Sequence, residues 1–220
     1  TDRDSYYGPG NDPLKAYGKT TDLTAMGGAQ YVHTFDKCFF MPSDLTAGLE
    51  YNRDRLKDNM WGYNRHTDQT VNIYSAFLQN EWKNDRWGIL IGGRLDKHNM
   101  VDNVIFSPRA NLRFNPTQNI NLRLSYSSGF RAPQAFDEDM HIENVGGTVA
   151  MIERAKDLKE EKSQSFSVSA DMYHRFGAFQ TNLLIEGFYT RLTDVFVLGK
   201  PYDRGDGILV KTRSNGPGAK

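Results

Sequence analysis

The densest group of side chains able to do chemistry lies in an irregular stretch beyond the middle of the chain. Asp137, Asp139 and Glu143 recur there, with Glu138 and His141 among them. Carboxylate oxygens at alternate positions of a loop can hold a hard cation such as calcium. The spacing lacks the glycine and the terminal glutamate of an EF-hand loop, and most acidic loops are simply solvated. Asp137, Asp139 and Glu143 are therefore weak metal candidates, and no metal is predicted.

Catalysis is not indicated by the remaining reactive side chains. Asp137 and His141 could form an acid–base pair, but no serine or cysteine motif accompanies them. Cys38 is the only cysteine, which excludes an internal disulfide and a zinc site built on several thiolates. The 27 basic and 27 acidic residues give no electrostatic case for a nucleic-acid partner. We predict neither an enzyme nor a nucleic-acid-binding protein, and no cofactor.

A second candidate group combines aromatic and cationic side chains in a predicted loop over residues 53–68. It contains Trp61, Tyr63, Arg65 and His66. Aromatic faces and cationic groups together suit a large, charged ligand. The alternative is that these side chains pack loop against loop or belong to an aromatic girdle at a membrane interface.

Both groups are surrounded by segments in which polar and apolar residues alternate, as they do in β-strands. The clearest pair runs from Arg109 to Phe114 and from Ile120 to Tyr126, on either side of a polar connection from Asn115 to Asn119. Successive side chains of a strand point to opposite faces, so each run has one apolar and one polar face. Such a sheet is expected of a barrel in a bilayer, although a soluble sandwich also alternates.

Arginines recur on the polar face of three consecutive predicted strands. Arg94 lies in the first strand, Arg109 and Arg113 lie in the second, and Arg123 lies in the third. All four point away from the apolar stripe of their strand. They either line a wet wall or form a ladder of charges that acidic neighbours balance.

The predicted connections alternate in length, as do the tight periplasmic turns and longer extracellular loops of outer-membrane barrels. Short connections are predicted at residues 83–85, 115–119 and 175–178, and long ones at residues 53–68, 129–162 and 198–206. Residues 1–21 and 35–44 are also predicted to be irregular. Within the longest loop, Met151, Ile152, Ala155 and Leu158 recur at helical spacing and predict a short helix.

Composition limits how the chain could cross a membrane. Hydrophobic residues make up 38% of the sequence, and the mean hydropathy is −0.64. No window approaches the roughly 18 apolar residues of a membrane helix. A membrane role would therefore rest on strands, whose hydropathy signal is weak.

Four short phrases, in this order along the chain, resemble those of the TonB-dependent outer-membrane receptors. Residues 92–96, GGRLD, are similar to the family's G-x-R-x-D strand, and residues 106–109, FSPR, to the S-P-R phrase that follows it. Residues 126–133, YSSGFRAP, resemble the serine-rich S-x-G-F-R-A-P phrase. Residues 158–163, LKEEKS, resemble L-x-P-E-x-S, with Glu160 in place of the usual proline.

The resemblance implies an all-β fold, an antiparallel up-and-down transmembrane β-barrel. The family barrel has 22 strands around a plugged lumen, and this chain would supply about nine of them. Residues 1–220 would then form part of one barrel domain, without the plug domain, and residues 129–162 its long extracellular loop. The resemblance also places the chain in the outer membrane of a Gram-negative bacterium, in contact with its lipid.

The resemblance further implies TonB-dependent active uptake of a ferric siderophore or similar iron chelate, with cobalamin, haem or an oligosaccharide as alternatives. Energy would come from the TonB–ExbB–ExbD system through the plug. The loop residues Trp61, Tyr63, Arg65 and His66 would help to capture ligand. The inward-facing arginines Arg94, Arg109, Arg113 and Arg123 would line the lumen.

The alternative of another class is a soluble all-β binding module. The exposure of one stripe of side chains discriminates between the barrel fragment and the soluble module. The stripe is exposed in a barrel fragment and buried against a second layer in a sandwich. It consists of Ile120, Leu122, Leu124 and Tyr126.

Overall fold

The chain folds into β-strands joined by turns and loops. The computed structural model describes residues 1–6, 17–61, 65–135, 143–145, 148–205 and 209–219. Within these ranges the regular structure consists of strands β1 to β14, which form two sheets. In the described residues no helix is long and apolar enough to cross a membrane.

The larger sheet has nine strands, and each neighbouring pair is antiparallel. Seven of its strands follow one another along the chain, and the last two join after a long excursion. The nine strands confirm the predicted number. In sheet order they are β1 (Asp2–Tyr6), β2 (Tyr17–Cys38), β3 (Met41–Met60), β4 (Arg65–Lys83), β5 (Trp87–His98), β6 (Ile105–Thr117), β7 (Ile120–Arg131), β10 (Glu161–Phe176) and β11 (Phe179–Thr193).

The smaller sheet has five strands and is built from the excursion between β7 and β10 together with the chain after β11. Its central pair, β9 and β14, is parallel, and its other pairs are antiparallel. Its strands are β8 (Glu143–Val145), β9 (Thr148–Arg154), β12 (Phe196–Leu198), β13 (Tyr202–Asp203) and β14 (Leu209–Asn215).

The helix predicted from Met151, Ile152, Ala155 and Leu158 is wrong, because the first two of these residues lie in β9. Met151 pairs with Val210 of β14, and both side chains are fully buried. Pairing with a strand far along the chain therefore outweighs the helical spacing of a short apolar run.

The two faces of the larger sheet differ in polarity over most of its height. We name the face that carries Leu124 the outer face and the opposite one the inner face. On the outer face Leu49, Ile91 and Leu124 are 66%, 57% and 51% exposed. Leu122 is exposed as well, and Ile120 and Tyr126 are half-buried. No second layer covers this stripe in the described residues, which is the facing expected of a barrel fragment and not of a sandwich.

Aromatic rings form two rows on the outer face. One row lies near the short turns, where Trp87 stacks on Phe114 with ring centroids 4.2 Å apart. The other row includes the ring pair Tyr51 and Tyr74, 4.9 Å apart. Trp82 and Tyr74 of β4 belong to different rows and are eight positions apart, roughly 26 Å along a strand. This separation matches the apolar band of outer-membrane barrels, so we name the outer face between the rows the band.

Four tight connections lie at one end of the larger sheet, which we name the turn end. Phe39, with φ of 62°, and Gly177, with φ of 59°, adopt left-handed conformations in two of them. A third is closed by Asn84 Oδ1, which accepts hydrogen bonds from the backbone N–H groups of Arg86 and Trp87.

Three connections predicted at the turn end are too long; at residues 175–178, Arg175 and Phe176 belong to β10. The irregular stretch predicted over residues 35–44 contains only a two-residue turn, because β2 and β3 pair up to Cys38 and Met41. The predicted connection over residues 115–119 shrinks to residues 118–119, because β6 continues to Thr117 through an irregularity after Phe114. Pro116 lies at this irregularity, where its missing N–H is tolerated.

The opposite end, which we name the loop end, carries the largest correction. The loop predicted over residues 53–68 is mostly strand, since β3 continues to Met60 and β4 begins at Arg65. Tyr17 to Thr21, also predicted to be irregular, belong to β2. On the inner face here, Leu56, Met60 and Val71 are buried. Arg53, Arg55 and Lys57 point outward and are exposed, so the polarity of the two faces reverses beyond the band.

Candidate ligand-binding site

A cavity of about 670 Å³ lies at the loop end, between the start of β4 and the smaller sheet. Arg65, His66 and Thr67 of β4 line one side of it, and β9 contributes Met151 to Arg154 on another. The chain after β7 adds Pro133 and Ala135. Three segments that are distant in the sequence therefore meet around one hollow.

The lining of this cavity is basic. Arg65, Arg154, Lys156 and Arg204 line it, whereas Glu153 is the one acidic residue among the lining residues that the structure describes. Glu153 lies 4.0 Å from Arg204, and the buried Asp58 forms an ion pair with Arg65, so acidic groups offset part of this charge. We name this hollow the basic cavity, and its excess positive charge suits an anionic ligand.

Buried hydrogen bonds hold Arg65 in place. Arg65 Nη2 donates to Asp58 Oδ2 at 2.7 Å and forms an ion pair with it. The other oxygen, Asp58 Oδ1, accepts a hydrogen bond from Thr20 Oγ1, also at 2.7 Å. Both Asp58 and Thr20 are buried. The carboxylate thus ties β2, β3 and β4 together beneath the cavity and fixes the direction of the guanidinium group.

Gln69 and Arg154 connect the two sheets. Gln69 Oε1 accepts hydrogen bonds from the backbone N–H of Ala135 at 2.7 Å and from Arg154 Nη1 at 2.9 Å. Arg154 Nη1 also donates to the carbonyl oxygen of Pro133 at 3.0 Å. One buried amide oxygen therefore docks both β9 and the chain after β7 onto β4.

The structure brings together two of the four aromatic and cationic residues that the sequence predicted as ligand contacts. Arg65 and His66 both line the basic cavity, from a strand and not from a loop. Trp61 stacks on Tyr17, with centroids 5.5 Å apart and planes at 8°, and is not among the lining residues. Tyr63 lies outside the described residues.

The weak metal candidates fall where the structure does not describe side chains. Asp137 and Asp139 lie outside the described residues, and so does the side chain of Glu143, whose backbone is in β8. Among the residues whose side chains are described, no group of three or more His, Cys, Asp or Glu side chains could hold a metal ion.

The four predicted inward-facing arginines share one face of the sheet. Arg109 is in register with Gly92 of β5, and Arg113 is directly opposite Arg123. Arg94 lies two positions from Gly92 and therefore points to the same side. That this face lines a lumen stays a prediction.

The partners of these arginines differ. Arg94 donates to Asp96 Oδ1 and Ser75 Oγ, both at 2.8 Å, and lies 2.6 Å from Glu50 Oε2. Arg113 Nη2 donates to the carbonyl oxygen of Asn84. Among the described residues, acidic side chains pair with Arg94 and with none of the other three arginines, so a ladder of balanced charges describes Arg94 alone of the four.

Several cavity residues carry no sequence signal. Arg154, Lys156 and Arg204 come from the stretches predicted to be loops, and Gln69 is an ordinary strand residue. Gln69 and Arg154 are 85 positions apart, so only tertiary structure brings them together. Arg65 and His66 carry a sequence signal because an aromatic and cationic cluster stands out by composition alone, and that they contact a ligand stays a prediction.

The architecture is that of an outer-membrane β-barrel wall: long antiparallel strands, an apolar outer band between aromatic rows, and short turns opposite long loops. Residues 1–215 match the family described as TonB dependent receptor-like, beta-barrel. The chain belongs to this family.

Individual relatives are distant in sequence. The chain is 24% identical over 189 residues to the probable hemoglobin and hemoglobin-haptoglobin-binding protein 3 of Haemophilus influenzae, covering 84% of this chain and 16% of that protein. Its fold is similar to the siderophore receptor PirA from Pseudomonas aeruginosa, with a TM-score of 0.71 and 15% identity over 92% of this chain and 38% of that one.

PirA from Acinetobacter baumannii is also similar in fold, with a TM-score of 0.67 and 17% identity over 99% of this chain and 36% of that one. The chain thus spans between about one sixth and two fifths of the length of these relatives.

Proposed function

We propose that this chain is part of the barrel domain of an outer-membrane receptor that takes up an iron chelate in a TonB-dependent manner. The observation that carries the proposal is the basic cavity at the loop end, because most chelators that hold ferric iron do so with anionic oxygen atoms. The names of the relatives, siderophore receptors and a hemoglobin-binding protein, support an iron-containing ligand.

The proposal includes the surroundings of the receptor. The band faces lipid of the outer membrane of a Gram-negative bacterium, and the loop end faces the outside of the cell. The TonB–ExbB–ExbD system supplies energy through a plug domain. The order of events is capture of ligand at the loop end followed by energised passage along the inner face.

Uptake by the full-length receptor tests this proposal. Cells that carry the receptor should accumulate a radioactive ferric siderophore, and loss of TonB should abolish accumulation while surface binding persists. Uptake that continues without TonB would contradict the proposal and favour a passive porin.

Lys156 provides the site-specific test. Its side chain is exposed at the basic cavity and has no hydrogen bond or ion pair with any residue that the structure describes. Charge reversal in Lys156→Glu should weaken binding of an anionic chelate by about tenfold, and the neutral Lys156→Met by less. Equal affinity for all three proteins would remove the basic cavity from the ligand site.

Haem is a second candidate ligand because a relative is named as a hemoglobin-binding protein and because His66 is exposed at the edge of the same cavity, with its side chain on the outer face of β4. Nδ1 of His66 lies 3.0 Å from Asn59 Oδ1, and a proton on Nδ1 leaves Nε2 free to bind iron. A haem titration should then produce a shifted Soret band that His66→Ala removes. Binding of a ferric siderophore without a response to haem would decide for the siderophore.

A further inference from the structure

Two neighbouring strands present a strip of short side chains on the inner face of the larger sheet. Register pairs these residues into three consecutive rungs across β7 and β10, which extend roughly 13 Å along the wall. We name them the serine strip: Ser125 opposite Ser167, Ser127 opposite Ser165, and Gly129 opposite Ser163.

None of the residues of the serine strip is buried by the described residues: Ser127 and Ser167 are exposed and the others are half-buried. Ser125 and Ser167 share a hydrogen bond, and Ser165 shares one with Thr190 of β11 at 3.0 Å. A hydroxyl group rotates and both donates and accepts, so these contacts exchange readily with water or with a passing ligand.

The inner face of β3 to β5 is built differently at the same height. Arg94 links Glu50, Ser75 and Asp96 through charged hydrogen bonds across three strands. Beside it the Phe77 ring covers Gly48 so closely that a Cβ there would lie 2.3 Å from the ring. Long, mutually bound side chains therefore project from this part of the wall, whereas the side chains of the serine strip are short. A hollow of about 400 Å³ has Arg94 on one side and Arg109 and Ser127 on the other.

Both strands of the serine strip lead away from the basic cavity. β7 ends at Arg131, and Pro133 just beyond it lines the cavity. β10 begins at Glu161, and Leu158 just before it lines the cavity as well. A ligand that leaves the cavity along the wall therefore meets the Gly129 rung first.

Two arginines flank the serine strip. Arg109 lies beside Ser127 on β6, and Arg123 lies opposite Ser169, one rung beyond the strip. Neither arginine donates a hydrogen bond or forms an ion pair with any residue that the structure describes. Their charges attract an anion, while neutral hydroxyl groups bind it only weakly, which is the combination that permits passage rather than retention.

We propose that the serine strip is the path along which the anionic chelate moves from the basic cavity through the barrel, with Arg109 and Arg123 as the flanking charges. This inference rests on the proposed function and adds the route to it.

Bulky substitutions in the intact receptor test the route. Ser127→Trp and Ser165→Trp should lower the initial rate of siderophore uptake at least about tenfold and change binding affinity less than about twofold. Thr46→Trp is the matched control, because Thr46 occupies the same rung of the same face, on β3. It should leave uptake unchanged. Normal uptake by the strip variants, or an equal loss in the control, would overturn the route.

Cysteine labelling tests the same route without bulk. In an intact receptor in which Cys38 and any cysteine outside this chain are replaced by serine, Ser165→Cys should react several-fold faster with a polar maleimide during energised uptake than at rest, whereas Thr46→Cys should react at one rate. Equal acceleration at both positions would overturn the route. A receptor that binds and takes up no iron chelate at all would instead contradict the proposed function.

Discussion

The band and the loop end are built from the same strands, but their apolar side chains point to opposite faces of the sheet. Within the band, β3 to β5 point apolar side chains such as Leu49 and Ile91 outward and polar ones such as Glu50 and Asp96 inward. At the loop end, β3 points Lys57 outward and Met60 inward. In the proposed setting the outer face contacts hydrocarbon in the band and water beyond it, and this difference in surroundings accounts for the reversal of polarity along one strand.

The largest effect is expected where a charge is buried at the loop end. Asp58→Ala should lower the free energy of local opening by about 3–5 kcal/mol, because Arg65 loses its carboxylate partner in a buried site. Hydrogen exchange at the loop-end amides of β3 and β4 in the intact receptor measures this. Asp58→Asn keeps one acceptor oxygen, so its free energy of local opening should lie between those of the parent protein and Asp58→Ala. Unchanged exchange in Asp58→Ala would show that this end is not held by its buried polar groups.

The band should be sensitive to charge on its outer face. Ile91→Arg should destabilise the barrel by about 2–4 kcal/mol, because the guanidinium group would enter hydrocarbon. Unfolding of the intact receptor by urea in lipid vesicles measures this. Arg55→Leu, on the same face beyond the band, should change the free energy of unfolding by less than about 0.5 kcal/mol. Equal changes in the free energy of unfolding for Ile91→Arg and Arg55→Leu would contradict the distinction between the band and the loop end.

The junction between the two sheets should show a moderate effect. Gln69→Leu removes the acceptor for Ala135 and Arg154 and should cost about 1–3 kcal/mol of local stability. Faster proteolytic cleavage in the chain between β7 and β10 would measure this loss of local stability. Gln69→Glu retains an acceptor and pairs with Arg154, so it should resist cleavage as the parent does. Identical cleavage of all three proteins would show that Gln69 does not dock the smaller sheet.

The smallest effect is expected at an exposed ion pair of the loop end. Lys57 Nζ lies 3.5 Å from Asp68 Oδ2, and their side chains are 46% and 60% exposed. Asp68→Ala should therefore change local stability by less than about 1 kcal/mol, measured by the same hydrogen exchange as for Asp58. A loss of local stability as large as that of Asp58→Ala would mean that burial does not determine how much each carboxylate contributes to stability.

The reversal of polarity also explains what the sequence could predict. Within the band, the strands point mainly apolar side chains outward and mainly polar ones inward. The hairpin around residues 109–126 and the number of strands in the larger sheet were therefore predicted correctly. Residues 53–60 follow the opposite rule and are highly charged, and they were therefore predicted to be a loop. Their strand conformation depends on buried partners, such as Thr20 for Asp58, that belong to another strand.

The candidate site was predictable only in the part that stands out by composition. Arg65 and His66 were identified by residue type, and both line the basic cavity. The charges that complete the cavity, Arg154 and Arg204, come from the smaller sheet, whose parallel pairing no local pattern encodes. Long-range pairing of this kind is fixed by packing and is not fixed by periodicity.

The parallel pairing of β9 with β14 sets an order of assembly. Ala150 pairs with Leu209, so the smaller sheet cannot form until the chain after β11 has been added. The larger sheet grows mainly by pairing strands that are neighbours in the chain, whereas this contact closes a long loop and gains its hydrogen bonds late. The wall of the barrel should therefore fold first. The cavity, with Arg154 and Arg204 in place, should be the last part of this chain to mature.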